Sequence, residues 1–281
     1  MHFVQSSLAA LAMLSGVSTM ALTKKSDGRL FSCSTPPMNS SNPPLPAIGA
    51  THGVNRAAAQ PINIWTAVHV VTTSAKAGKV FQWQVDGQFN VLNDRFAPYG
   101  ISFLSIGTDF TVNDDWATKN ADQTDMRQKL RRGDYRTLNI YYQSDVPGLG
   151  GLGYLPQNPT PKDFSFDGVF IASDLLPFGP NPNYNRGIVA VHEIGHWLGL
   201  NHVWGDAEGN CNSDGDGVAD TPIQSKANFA CDTSLDSCPG QPGFDSVKNY
   251  MDYSDDLYKT GFTKNQGDRM WLAWNYWRLA F

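Results

Sequence analysis

The chain has 281 residues, with 21 Lys and Arg against 26 Asp and Glu, a net charge of −5 and a sequence pI of about 5.6. It contains no basic stripe, phosphate loop or internal repeat, so nothing points to nucleic acid or to a nucleotide. Four cysteines are enough for a disulfide framework but too few to stand in for a core.

Residues Leu8 to Leu22 form an apolar run of about 15 residues, shorter than the roughly 18 expected of a bilayer span. Small residues at Ser18 and Ala21 fit a cleaved secretory signal over residues 1–21 and therefore a secreted, extracellular protein, with no membrane partner. The following segment, 22–59, includes STPPMNSSNPPLP and is too rich in proline and serine to bury a core, so it reads as extended. Asn39 opens the sequence Asn-Ser-Ser, a glycosylation sequon.

From Ile62 the pattern changes. INIWTAVHVV is a β-branched run of strand length. Phe81, Val85, Phe89 and Leu92 then recur at three and four, which predicts an amphipathic helix over Val80 to Phe96 closing near Tyr99-Gly100. Further strands are expected at Ile101–Ile106, Thr137–Tyr142 and Gly168–Ala172, with a short helix at Thr124–Arg132. Strands alternating with helices predict an α/β sandwich. His69 reads as a strand residue with a hydrogen-bond partner and His52 as a solvated one.

HEIGHWLGLNH, residues 192–202, carries three of the six histidines. In a helix His192 and His196 project from one face a turn apart, and Gly199 permits the turn that returns His202 as a third ligand. Three neutral imidazoles with an open fourth position make a catalytic zinc site rather than a closed structural one. Only two of the 26 acidic residues are glutamates, and one of them, Glu193, follows the first histidine. The flanking Val189, Val191, Ile194 and Leu198 explain a buried helix but not a glutamate and three histidines at metal spacing.

The extended HExxHxxGxxH stretch resembles the metzincin zinc endopeptidases. NYMDYSDD places Met251 where that family needs a methionine turn beneath the metal. The wider set, GDGVADTP, DSCPGQPGFDSVKNYMDYSDD and GFTKNQGDRM, resembles the pappalysin family, especially its secreted fungal members, from about Asn63 to the C-terminus. The resemblance implies an α+β catalytic domain over 60–281. That domain has a mixed twisted sheet, helices above the active-site cleft, and an irregular C-terminal subdomain ending in a helix. It also implies a propeptide over 22–59, an edge strand within GLGGLGYLP (148–156) that pairs with extended substrate, and a monomer acting on proteins or peptides.

In that reading zinc is held by His192, His196 and His202, Glu193 is general base and acid, and Tyr253 assists the oxyanion. The family's bridge maps onto Cys211 and Cys238, whereas the usual partner of Cys231 is replaced by Tyr258. Cys33 is then left two jobs, a disulfide with Cys231 or a thiolate closing the zinc until the segment is removed. Calcium, expected beside the zinc, falls to Asp216, Asp220 and Thr221. Asn212, Asp214, Asp216, Gly217 and Asp220 follow the spacing of a calcium loop, but Ile223 stands where its bidentate glutamate belongs. The family aspartate that receives arginine corresponds to Leu257, which predicts weaker basic preference and more tolerance of apolar side chains after the cut. The alternatives are another HExxH hydrolase such as a deformylase, or an inactive module that keeps its metals for structure. Met270, Trp274 and Trp277 read as a core stripe of the last helix.

Overall fold

The computed structural model describes residues 33, 35, 60–118, 123–146, 148–158, 161–205 and 209–279. The expectations for the secretory signal, for Asn39 and for His52 lie outside these residues.

Five strands form one sheet in the order β2-β1-β3-β5-β4: β1 Ile62–Thr72, β2 Ile101–Val112, β3 Leu138–Gln143, β4 Gly151–Gly153 and β5 Val169–Ala172. The first four in that order run parallel, and β4 closes the edge antiparallel to β5. Parallel strands need crossovers, here supplied by α1 (Gln82–Phe96) between β1 and β2 and by α2 (Asp114–Thr118) and α3 (Thr124–Leu130) before β3. α4 (Pro161–Phe166) precedes β5, and α5 (Ile188–Trp197) and α6 (Lys264–Ala273) follow the sheet. Strand β3 is buried along its whole length, as expected of a central parallel strand covered on both faces.

The main core joins Ile64, Val68 and Val70 of β1 to Leu92 and Phe96 of α1 and to Val189, Ile194 and Trp197 of α5. On the opposite face Val71, Tyr141 and Phe170 pack under Met126 of α3 and Ala117 of α2. Strand β2 extends six residues beyond its expected end at Ile106, because β1 continues to pair with it past a register shift at Thr66/Ala67. Gly107, Thr108 and Asp109 hide that continuation in the sequence. His69 is fully buried, held through Nδ1 to Asp109 at 3.0 Å and through Nε2 to Asn139 at 3.0 Å.

Between α5 and α6 the chain is irregular. It is fastened by the Cys211–Cys238 disulfide and by Asp252, whose carboxylate accepts from the Asn228 backbone and side chain. Met270, Trp274 and Trp277 are buried. Fully buried Arg278 closes the fold. It donates to Asp167 at 2.8 Å and to the Trp197 carbonyl at 3.0 Å, which locks the last turn to the end of α5.

Candidate metal centre

All ten residues of α5 are buried, so its orientation is fixed by packing before any chemistry is considered. Its first turn is capped from far away in sequence: Asp256 Oδ2 accepts from the backbone nitrogens of Arg186 and Ile188. Its last turn ends at Gly199, whose φ of 91° lets the chain reverse, and Leu200 N returns to the Gly195 carbonyl at 2.9 Å.

That reversal brings three nitrogens together. His196 Nε2 lies 3.1 Å from His192 Nε2 and 3.1 Å from His202 Nε2. The Nδ1 atoms of His192 and His196 each sit 2.7 Å from a carbonyl, of Tyr250 and Leu200 respectively. A carbonyl only accepts, so each Nδ1 carries the proton and each Nε2 presents a lone pair to the centre. Burial pushes His192 and His202 well below the ordinary imidazole range and His196 down to about 4, so all three rings are neutral. Converging neutral lone pairs at this distance repel one another unless a cation lies between them. The spacing is close to the roughly 3.4 Å expected for imidazoles bound tetrahedrally to zinc at about 2.0–2.1 Å, so the residues fit that ion.

The fourth side of the cluster is Cys33. Its sulfur and the three imidazoles offer ligand atoms that all lie within 4.8 Å of one another. Cys33 Sγ is also 3.3 Å from Glu193 Oε2, and its backbone bridges to Gly151 in parallel. Desolvation and the neighbouring carboxylate raise its thiol well above the usual value. Cys33 and Cys231 are both free, so of the two jobs considered for Cys33 the disulfide is not formed.

Glu193 is fully buried, and that burial raises its carboxyl to about 8. It lies directly beneath β4: a Cβ on Gly151 would overlap its carboxylate, and one on Gly153 would overlap its backbone carbonyl. The glycines of GLGGLGYLP therefore bring the edge strand against the helix. Tyr253 has its hydroxyl 3.3 Å from His202 Nε2 and 3.3 Å from both the nitrogen and the carbonyl of Cys33. Met251 is fully buried beneath the cluster, so close to α5 that a Cβ on Gly195 would lie 2.6 Å from its sulfur.

The acidic segment behaves differently. Asp216 is buried, with Oδ1 accepting from Val218 N at 3.0 Å and Oδ2 from Gln266 Nε2 at 3.4 Å, and the buried Thr221 stands beside it. Desolvation raises its carboxyl to about 7. Asp220 is drawn elsewhere, accepting from Asn265 N in the first turn of α6. Among the described residues the histidine and Cys33 group is the only convergence of three or more candidate ligands, so the calcium-loop spacing does not gather its carboxylates.

Two residues near the cluster escaped sequence reasoning. Lys259 is buried yet interacts electrostatically with Glu193, Asp252 and Asp256, and Asp256 caps α5. The doubled aspartate after Met251 was a visible signal, but its connection to a helix start some 70 residues earlier was not.

The family profile described as pregnancy-associated plasma protein-A, of the M43 peptidases, matches residues 124–274. An extracellular metalloprotease of Pyricularia oryzae is 44% identical over 227 residues, covering 80% of this chain and 79% of its own. One from Sordaria macrospora is 41% identical, covering 83% and 81%. Among solved structures, Tannerella forsythia mature mirolysin in complex with a cleaved peptide superposes with a TM-score of 0.65 at 29% identity, covering 75% of this chain and 91% of its own.

Proposed function

Because the chain belongs to the M43 pappalysin family of metalloproteases, we propose that it is a secreted zinc endopeptidase in which His192, His196 and His202 hold the metal and Glu193 moves the proton. The observation that carries this assignment is the meeting of the three Nε2 atoms of His192, His196 and His202 beside a buried glutamate. When bound, zinc lowers the pKa of its water toward neutrality and polarises the scissile carbonyl. Glu193, held without freedom under β4, takes the proton of the attacking water and delivers it to the leaving amine. The Tyr253 hydroxyl, within reach of the Cys33 carbonyl in this structure, donates to the oxygen that becomes negative in the tetrahedral state. Met251 is a packed floor with no ligand role.

The extracellular names of the relatives support secretion, with 1–21 as signal, 22–59 as propeptide and 60–281 as the catalytic domain, acting as a monomer on protein or peptide substrates. Cys33, a residue of that propeptide, closes the fourth side of the cluster and keeps the enzyme latent by occupying the fourth position. Calcium binds at Asp216 and Thr221 in the same reading, supported by the buried carboxylate there. Casein hydrolysis by the secreted protein, abolished by a chelator and restored by zinc, tests the activity. Persistence of hydrolysis in excess chelator would overturn it. Cys33→Ala is expected to give premature activity, and a peptide pair joining Cys33 to Cys231 on mass mapping would rule out the latency role.

A further inference from the structure

The three imidazoles of the cluster converge, but they are not held alike. His192 and His196 stand on the buried helix α5, and each has its Nδ1 fixed by a carbonyl at 2.7 Å, that of Tyr250 and that of Leu200. His202 has neither support. It lies beyond α5, after the turn at Gly199, and is half-buried; among the described residues no carbonyl or carboxylate bonds its Nδ1. The terminal torsion of a histidine is soft, so a ligand ring without such a bond turns out of its place in the metal site unless something else holds it. For His202 that support covers the face of the ring. Trp204 stacks on it, with ring centroids 4.3 Å apart and planes 9° from parallel. A carbonyl fixes a ring through one atom, whereas a stacked indole fixes its plane.

The backbone that folds Trp204 back over His202 is pinned at three points. Gly205 N donates to the His202 carbonyl at 2.8 Å, which closes a turn with Trp204 at its third position. Gly205 takes a φ of 69°, and a Cβ there would overlap the Gly215 carbonyl, so the turn is packed against the acidic segment. Val203 N donates to the Met251 carbonyl at 3.4 Å, which ties the turn to the methionine beneath the cluster. Trp204 itself is only 8% exposed, and it meets Tyr253 edge-on, with centroids 4.8 Å apart and planes at 78°. One indole therefore braces both the third ligand and the tyrosine whose hydroxyl lies 3.3 Å from His202 Nε2. A cation on Nε2 draws electron density out of the imidazole, and the electron-rich face of an indole attracts an electron-poor ring more than a neutral one. The stack thus favours the metal-bound ring over the free ring.

We infer that Trp204 is a positioning residue, which holds His202 in the plane from which it binds zinc and keeps Tyr253 aimed at the reacting carbonyl. The inference rests on the zinc endopeptidase reading and adds to it a residue outside the HExxHxxGxxH stretch. Trp204 offers the metal no ligand atom and acts through His202 and Tyr253.

The test uses the full chain, secreted and allowed to process, with Trp204→Phe and Trp204→Leu. Phenylalanine keeps a flat aromatic face, and leucine fills the space without one. In competition with a chelator of known affinity, Trp204→Leu is expected to bind zinc about tenfold more weakly than the unmutated protein, and Trp204→Phe within about threefold of it. At saturating zinc, kcat of Trp204→Leu should fall about tenfold with KM nearly unchanged, since Tyr253 serves the tetrahedral state. In the unmutated, zinc-loaded protein the ring protons of one liganding histidine should lie upfield by NMR, because they sit over the indole face. That measurement decides even if a variant fails to fold. Zinc bound as tightly by Trp204→Leu as by the unmutated protein, equal losses in the two variants, or no upfield ring protons overturns this inference alone. No zinc bound by the unmutated protein overturns the endopeptidase reading and this inference with it.

Discussion

The metal helix and the acidic segment that follows it both carry ligand-like spacing, yet only one of them converges. His192 and His196 are fixed four apart on a buried helix, so their separation in sequence is already a separation in space. Asn212 to Asp220 has the intervals of a calcium loop but no regular backbone to enforce them, and two of its carboxylates are taken by nearby backbone donors. Asp216 holds Val218 N, and Asp220 caps α6 through Asn265 N. Spacing predicts a site when a rigid element converts it to geometry. In a loop, local hydrogen bonds compete for the same oxygens.

The sharpest way to break this comparison is at Glu193. Glu193→Ala should lower proteolysis by several orders of magnitude while zinc content by elemental analysis stays at one per chain, since the proton carrier is lost and the ligands are kept. Retained activity would sink the mechanism. His202→Ala should do the opposite in kind, lowering zinc content itself. The effect should be about 10- to 100-fold or more in affinity, because the third ligand is contributed by the turn after Gly199 rather than by α5.

Removing the disulfide probes the irregular segment directly. Cys211→Ala with Cys238→Ala should cost about 3.5 kcal/mol in the loop-entropy account of a 27-residue separation, read as a fall in denaturation midpoint. An unchanged midpoint would mean that the Asp252 and Asn228 hydrogen bonds hold this segment without it.

The smallest expected effect concerns calcium. Asp216 has its folded carboxyl raised from the ordinary 3.8 to about 7, so ionising it costs folding free energy, and stability falls as pH rises through that window. A cation that favours the charged form offsets this loss. Added calcium should therefore raise Tm by a few degrees at pH 8, much less at pH 5, and not at all in Asp216→Asn. An equal shift at both pH values would place calcium elsewhere.

Several readings were legible because their causes are local. The strand of β-branched residues at Ile62, the helix ending at Phe96 and the reversal at Gly199 follow from side-chain and backbone preferences within a few residues. The C-terminal half of β2 was illegible, since its polar residues form a strand only because β1 offers a partner. Arg278 gave no hint that it would be the fully buried tie between Asp167 and the end of α5. Nor could Gly151 be known to face Glu193, because that contact joins residues more than 40 apart.

By itself the sequence determined which side chains could hold a metal, on what helix, and with which glutamate beside them. Short-range periodicity is enough for that, because an α-helix has one geometry. Only the tertiary structure decided what stands around the histidine cluster, namely Cys33 on its fourth side, Asp256 capping α5 and buried Lys259 interacting with Glu193. These residues come from separate segments, and their meeting depends on how the sheet, α5 and the irregular chain pack together.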